Sequence, residues 1–176
     1  MAIGDQIINL EIKARIFDVE SKRKLIEAIG GKVYSVQEET DTYFNTKKGT
    51  SFKVKEISGK SSLLYYQFDP LKKISNFKTF ENFNDSDSLI EVLKDILGVK
   101  SVISKKKTIY RYKNINIVFN EVVGLGVFVE LQVASKNNIE DMDKDKEAIS
   151  DLGKILGIKQ EDIETHGYGD IICKVK

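Results

Sequence analysis

From residue 8 to residue 16 apolar and polar positions alternate without a break. Leu10, Ile12, Ala14 and Ile16 fall on one side, and Asn9, Glu11, Lys13 and Arg15 on the other. A period of two is the signature of a β-strand, here with charges of both signs gathered on one face. The arrangement returns along the chain. Lys53 and Lys55 flank Val54 after the turn-like Lys47-Lys48-Gly49, and Lys105 and Lys107 repeat the spacing, with Arg111 further along the same face. In Phe128 to Ala134, Glu130 and Gln132 stand opposite Val129, Leu131 and Val133. An open sheet of this kind would be wet on one side. A sheet curled into a barrel, its apolar face outward beneath helices, would enclose a cationic space carrying a few carboxylates.

Three segments carry helical spacing instead. The first runs over 18–29, from a capping Asp18 through Val19, Leu25, Ile26 and Ile29 to Gly30-Gly31. The second, over 85–97, has the stripe Leu89, Ile90, Leu93, Ile96 and Leu97, with Gly98 as its stop. The third covers about 139–156 and ends at Gly157. Strands are expected over 6–17, 32–37, 40–46, 50–57, 62–69, 73–83, 101–113, 115–122 and 127–135, with a short one near 168–175. Turn signals such as Ser58-Gly59-Lys60 and Lys113-Asn114 join strands as hairpins, which makes the sheet mainly antiparallel.

Composition narrows the function classes. A chain of 176 residues, 41% hydrophobic and 31% charged, suits one domain with a real core. It has no run near the roughly 18 apolar residues of a membrane span and no signal-peptide pattern, so a cytoplasmic location and no membrane partner are expected. One cysteine, Cys173, and one histidine, His166, leave no internal disulfide and no Cys/His zinc cluster to propose. A net charge of +1 argues against bulk attraction to nucleic acid.

Asn9-Leu10-Glu11-Ile12-Lys13-Ala14-Arg15, Thr40-Asp41-Thr42-Tyr43-Phe44, Phe52-Lys53-Val54-Lys55-Glu56, Lys105 with Lys107 and Tyr110, and Asn120-Glu121-Val122-Val123-Gly124-Leu125-Gly126 leading to Glu130 follow one another in a telling order. Together they resemble the CYTH superfamily, the triphosphate tunnel metalloenzymes, which include class IV adenylate cyclases and thiamine triphosphatases. The class IV adenylate cyclase-like members are the most similar. The resemblance runs from residue 9 to Tyr168. It implies a single CYTH-like domain over 1–176 with an α+β fold: a mainly antiparallel, eight-stranded closed β-barrel with flanking helices. Such a tunnel threads a triphosphate through basic side chains and holds a divalent metal with carboxylates.

Carried over residue by residue, the resemblance makes Glu11, Glu130 and Lys13 catalytic. It gives substrate binding to Lys13, Arg15, Lys53, Lys55, Lys78, Lys105, Lys107 and Tyr168, and Mg²⁺ or Mn²⁺ to Glu11, Glu130 and Asn120. The chemistry suits these residue types. A triphosphate carries about four negative charges, and phosphoryl transfer relies on positioning and charge neutralisation. Lysine brings a mobile point charge and arginine a planar fork. Crowded together in a dry interior, so many cations would repel one another, so water, anions or ligand must fill the space. Asp41 is expected to orient a neighbouring lysine, and His166 to lie on the surface.

The chain departs from the family pattern at its carboxylates. Asn9 stands first in a signature that usually reads Glu-x-Glu-x-Lys, Asn120 replaces an aspartate, and Gln132 sits where many relatives carry a second glutamate. Glu121 could compensate if a bulge turned it inward, although strict alternation puts it on the outer face. Phe68 stands where similar proteins tend to carry arginine, and Lys107 where arginine is common.

Three functions follow from the resemblance. In the first, water attacks the terminal phosphoryl group of an organic or inorganic triphosphate. In the second, a class IV adenylate cyclase, the ribose 3′-hydroxyl of ATP attacks the α-phosphate and pyrophosphate leaves. The third is a non-catalytic nucleotide- or polyphosphate-binding module, suggested by the amides. The expected partner is ATP, thiamine triphosphate or inorganic triphosphate, bound by a monomer or homodimer.

Overall fold

Asp18 ends the first strand and opens the first helix, its carboxylate accepting the Ser21 backbone N–H at 3.2 Å. The computed structural model describes the backbone of residues 8–69, 74–83, 86–135 and 139–175. Along it lie β1 (Ile8–Ile16), α1 (Val19–Ala28), β2 (Lys32–Phe44), β3 (Thr50–Ile57), β4 (Lys60–Asp69) and β5 (Ile74–Phe83). They are followed by α2 (Ser86–Leu97), β6 (Val99–Tyr112), β7 (Ile115–Val122), β8 (Gly126–Ser135), α3 (Ile139–Ile155), a 3-10 turn over Gln160–Asp162, and α4 (Tyr168–Val175).

Two expectations about elements are corrected. The polar stretch Gln37-Glu38-Glu39 does not interrupt a strand: β2 runs straight through it, because Glu39 turns inward and finds ammonium partners. The apolar stretch near the C-terminus is a helix rather than a strand. Its buried residues, Tyr168 and Ile171, are three apart and share one helical face.

Contacts divide the chain into two compact units. The first contains Glu38–Lys105 and the residues from Gly167 onward. Its ladder pairs β2 with β3 (Thr42 opposite Val54), β3 with β4 (Val54 opposite Leu63) and β4 with β5 (Leu63 opposite Phe80), all antiparallel. Ser58 and Gly59, with φ of 49° and 76°, make the two-residue turn whose twist matches that of the strands it joins. Phe44, Val54, Ile103 and Ile171 are buried here, but so are Glu39, Asp41, Lys53 and Lys105.

The second unit contains Asn9–Gln37 and Lys106–His166. Its interior is aliphatic and aromatic: Leu10, Ala14 and Ile16 from β1, Ile26 from α1, Ile117 and Phe119 from β7, Val129 and Leu131 from β8, and Ile149 and Leu152 from α3. Burying each large side chain of this set contributes roughly 1.5–3 kcal/mol. Strands β7 and β8 pair antiparallel without a break in register, from Asn116 opposite Gln132 to Val122 opposite Gly126. The structure therefore shows an α+β arrangement of mainly antiparallel strands and helices. The ladders just described each lie within one unit.

Candidate active site

In the first unit, alternation along β2 sends Glu39, Asp41 and Tyr43 to one side, while the register sets Asp41 opposite Lys55 and Tyr43 opposite Lys53. The Glu39 and Asp41 side chains have no exposed surface. Lys53 Nζ lies 2.7 Å from Asp41 Oδ2, and Lys105 Nζ lies 2.8 Å from the same oxygen and 2.7 Å from Glu39 Oε1. Lys55 Nζ stands 3.6 Å from Glu39 Oε1. Buried charges persist only when paired, and here three ammonium groups gather around two carboxylates. Burial pushes the Asp41 carboxyl up, but Lys53 and Lys105 outweigh it and hold Asp41 below its ordinary range.

Two rings complete this cluster. Lys53 Nζ sits 5.1 Å from the centre of the Tyr43 ring, and Lys105 Nζ 5.1 Å from that of Tyr168, the first residue of α4. The helix approaches closely because residue 169 is glycine: a Cβ there would come within 2.8 Å of Tyr43 Cγ.

The second unit carries a different polar cluster. Gln132 Nε2 donates to Glu11 Oε2 at 3.1 Å and to Glu130 Oε2 at 2.9 Å, so one amide serves two carboxylates. Glu11 reaches water, yet it stands deep among protein atoms. That enclosure, followed by the Glu130 charge and opposed by Lys13, Gln132 and Lys107, pushes its pKa up to about 7. Asn120 shares this face of the β7–β8 pair, opposite Phe128 and one pair along from Glu130. It is 1% exposed, and neither its Oδ1 nor its Nδ2 has a hydrogen-bond partner among the described residues.

Lys13 donates from Nζ to the His166 carbonyl, and its own carbonyl accepts the Glu164 N–H at 2.8 Å. Arg15 lies over the Phe128 ring, 4.8 Å from its centre, and donates to the Leu125 carbonyl at 2.5 Å. His166 is exposed and faces Glu164 at 2.8 Å.

Of the expected site residues, Lys53, Lys55, Lys105 and Tyr168 come together in the first unit, with Asp41 orienting two lysines. Glu11 and Glu130 come together in the second, where Lys13 and Lys107 are close enough to act on Glu11. Lys78 pairs through its backbone with Tyr65 on β4, but its side chain lies outside the described residues, as do those of Asn9 and Phe68. The bulge that would have turned Glu121 inward is absent. With the register unbroken, Glu121 faces the helix side and accepts a hydrogen bond from Arg23 of α1 at 2.9 Å. Glu39 was missed. Its signal was its position two residues before Asp41, on the face that looks toward Lys55 and Lys105.

Residues 8–168 match the CYTH domain. The chain belongs to the CYTH domain family. A Methanocaldococcus jannaschii relative, named as a candidate adenylate cyclase, is 28% identical over 92% of this chain and 97% of its own. A neighbour of known structure, the PH1012 protein of Pyrococcus horikoshii, is 28% identical with a TM-score of 0.81, covering 92% of this chain and 98% of that one. A conserved hypothetical protein from Pyrococcus furiosus is 25% identical with a TM-score of 0.80 at the same coverage. Among the described residues no helix is long and apolar enough to cross a membrane.

Proposed function

We propose that this CYTH protein binds a small-molecule triphosphate together with Mg²⁺ or Mn²⁺ and hydrolyses it, the whole chain acting as one functional domain. The observation that carries the reading is the state of the second cluster. Glu11 and Glu130 both accept from the Gln132 amide, and the buried Asn120 amide on the same face has no hydrogen-bond partner among the described residues. Such an oxygen-rich set fits a hard divalent cation that keeps some of its waters. When bound, the ion would neutralise phosphate charge and acidify a bound water.

The chain's own residues supply the rest. Lys53, Lys55 and Lys105, gathered around Glu39 and Asp41, offer preset donors to phosphate oxygens, and Tyr168 holds Lys105 in place. Lys13 and Lys107 lower the cost of charge at Glu11. Arg15, already oriented by Leu125 and Phe128, presents the remainder of its fork. Lys78 is proposed as a further phosphate contact.

The name of the M. jannaschii relative favours a second reading, cyclisation of ATP to cyclic AMP with release of pyrophosphate. One assay decides. ATP, inorganic triphosphate and thiamine triphosphate are each incubated with the protein under Mg²⁺ and under Mn²⁺, and the products are identified. Orthophosphate is the expected product. Cyclic AMP with pyrophosphate would replace this reading with the cyclase, and tight binding without any product would replace it with a binding module.

A further inference from the structure

The position of Gln132 between the two carboxylates carries an inference that rests on the divalent-ion reading above. Both hydrogens of its amide nitrogen have an acceptor: Glu11 Oε2 at 3.1 Å and Glu130 Oε2 at 2.9 Å. At pH 8, where both carboxylates are ionised, their oxygens can be faced only by a donor, so the NH₂ end of the amide points at them. An NH₂ group cannot ligate a cation. For Gln132 to offer its oxygen instead, the amide must turn half a revolution, and both charge-assisted hydrogen bonds are lost. A glutamate at this position would behave in the opposite way. It would have nothing to donate, and three carboxylates would repel until a cation arrived.

We propose that Gln132 is a latch on the ion site. Its amide draws Glu11 and Glu130 together in the ion-free protein and competes with a divalent cation for the same two oxygens. The free protein therefore binds the ion weakly, and uptake depends on a triphosphate whose oxygens supply the missing ligands. Gln132 sets the order of binding, with the ion arriving as part of a metal–triphosphate complex rather than alone.

The test is direct binding of Mn²⁺ to the nucleotide-free protein, read from the electron paramagnetic resonance signal of the unbound ion. It is done at pH 8, above the value of about 7 at Glu11, so that protons do not obscure the comparison. Gln132→Met keeps the length of the side chain and removes the donor. Because one hydrogen bond to a charged group is worth about 1.5–3 kcal/mol, Q132M should bind Mn²⁺ at least about tenfold more tightly than wild type. Gln132→Glu, which also adds an anion, should bind more tightly still.

Equal or weaker binding by Q132M overturns the latch and makes Gln132 a ligand or a bystander. If wild type, Q132M and Q132E all fail to bind Mn²⁺ even with inorganic triphosphate present, the ion reading itself falls. Should Q132M not fold, Mg²⁺ with inorganic triphosphate is titrated into ¹⁵N-labelled wild type. The Gln132 side-chain amide resonance must shift as the ion enters, and a resonance that stays in place overturns the proposal.

Discussion

Two carboxylates in this protein have been displaced in opposite directions from similar starting points. Asp41, in the first unit, has no exposed surface while Glu11, in the second, reaches water, yet the acid of Asp41 is strengthened and that of Glu11 weakened to a pKa of about 7. Depth is therefore not what separates them. Asp41 touches two ammonium groups within 2.8 Å, whereas Glu11 has a neutral amide and a second carboxylate beside it that Lys13 and Lys107 only partly offset. The first cluster carries its own cations and contributes to the integrity of the fold. In the second, two carboxylates meet on one neutral amide, a perturbed pair of the kind that gathers at functional sites.

The sharpest way to break this contrast is Asp41→Ala. Removing the acid takes the carboxylate from Lys53, leaves Lys105 with Glu39, and should cost about 3–5 kcal/mol in urea denaturation. A change within a few tenths would mean that the cluster is not what holds this part of the fold. Next in size is Glu130→Gln. Outer-shell partners of a metal site are worth about 10–100-fold in affinity or activity, and a direct ligand should cost no less in a Mn²⁺ titration of turnover. Replacing Asn120 by Asp together with Gln132 by Glu should raise both affinity and rate. If all three changes are silent, the chain uses no metal.

Ionic strength separates the clusters in a third way. Triphosphate affinity should fall clearly between low and high salt, while the stability lost in Asp41→Ala stays nearly constant, because buried pairs are screened far less than an arriving polyanion. Affinity that ignores salt would contradict the cationic reading. The smallest effect concerns pH. Between the ordinary 4.5 and about 7, folded Glu11 retains a proton that the unfolded chain has released. Stability contributed at this residue is thus highest at low pH, declines as pH rises through that window, and is level above it. Glu11→Gln should flatten the decline in thermal melts, and a slope left unchanged would show that another group titrates there.

Much of this contrast was legible in the chain before folding. The alternation from Asn9 to Ile16 assigned both faces of β1, and the same rule placed Glu130 beside Gln132 and kept Glu121 with the helices. What alternation could not supply was partnership. Glu39 reads as one more acid in a polar stretch until the β2–β3 register and Lys105 are known, because its role comes from residues 16 and 66 positions away. The last helix was misread for a related reason. Ile171, Ile172 and Val175 favour strands locally, and only the burial of Tyr168 and Ile171 against the first unit selects the helix.

The interleaving of the two units in the sequence has a consequence for the timing of synthesis. The β3–β4 hairpin can form as it leaves the ribosome, since its turn is local. Neither unit can finish that early. The second waits for Lys106–His166, and the first for the segment that begins at Gly167. Lys53 and Asp41 are thus made long before Lys105 and Tyr168, and a nascent chain stalled between them carries two buried-to-be acids without their full complement of cations. Long-range closure of this kind slows folding and prolongs exposure of unfinished strands. The chain's final helix is accordingly a checkpoint in time: until it is translated, the lysine that joins both acids lacks its ring, and the first unit remains incomplete.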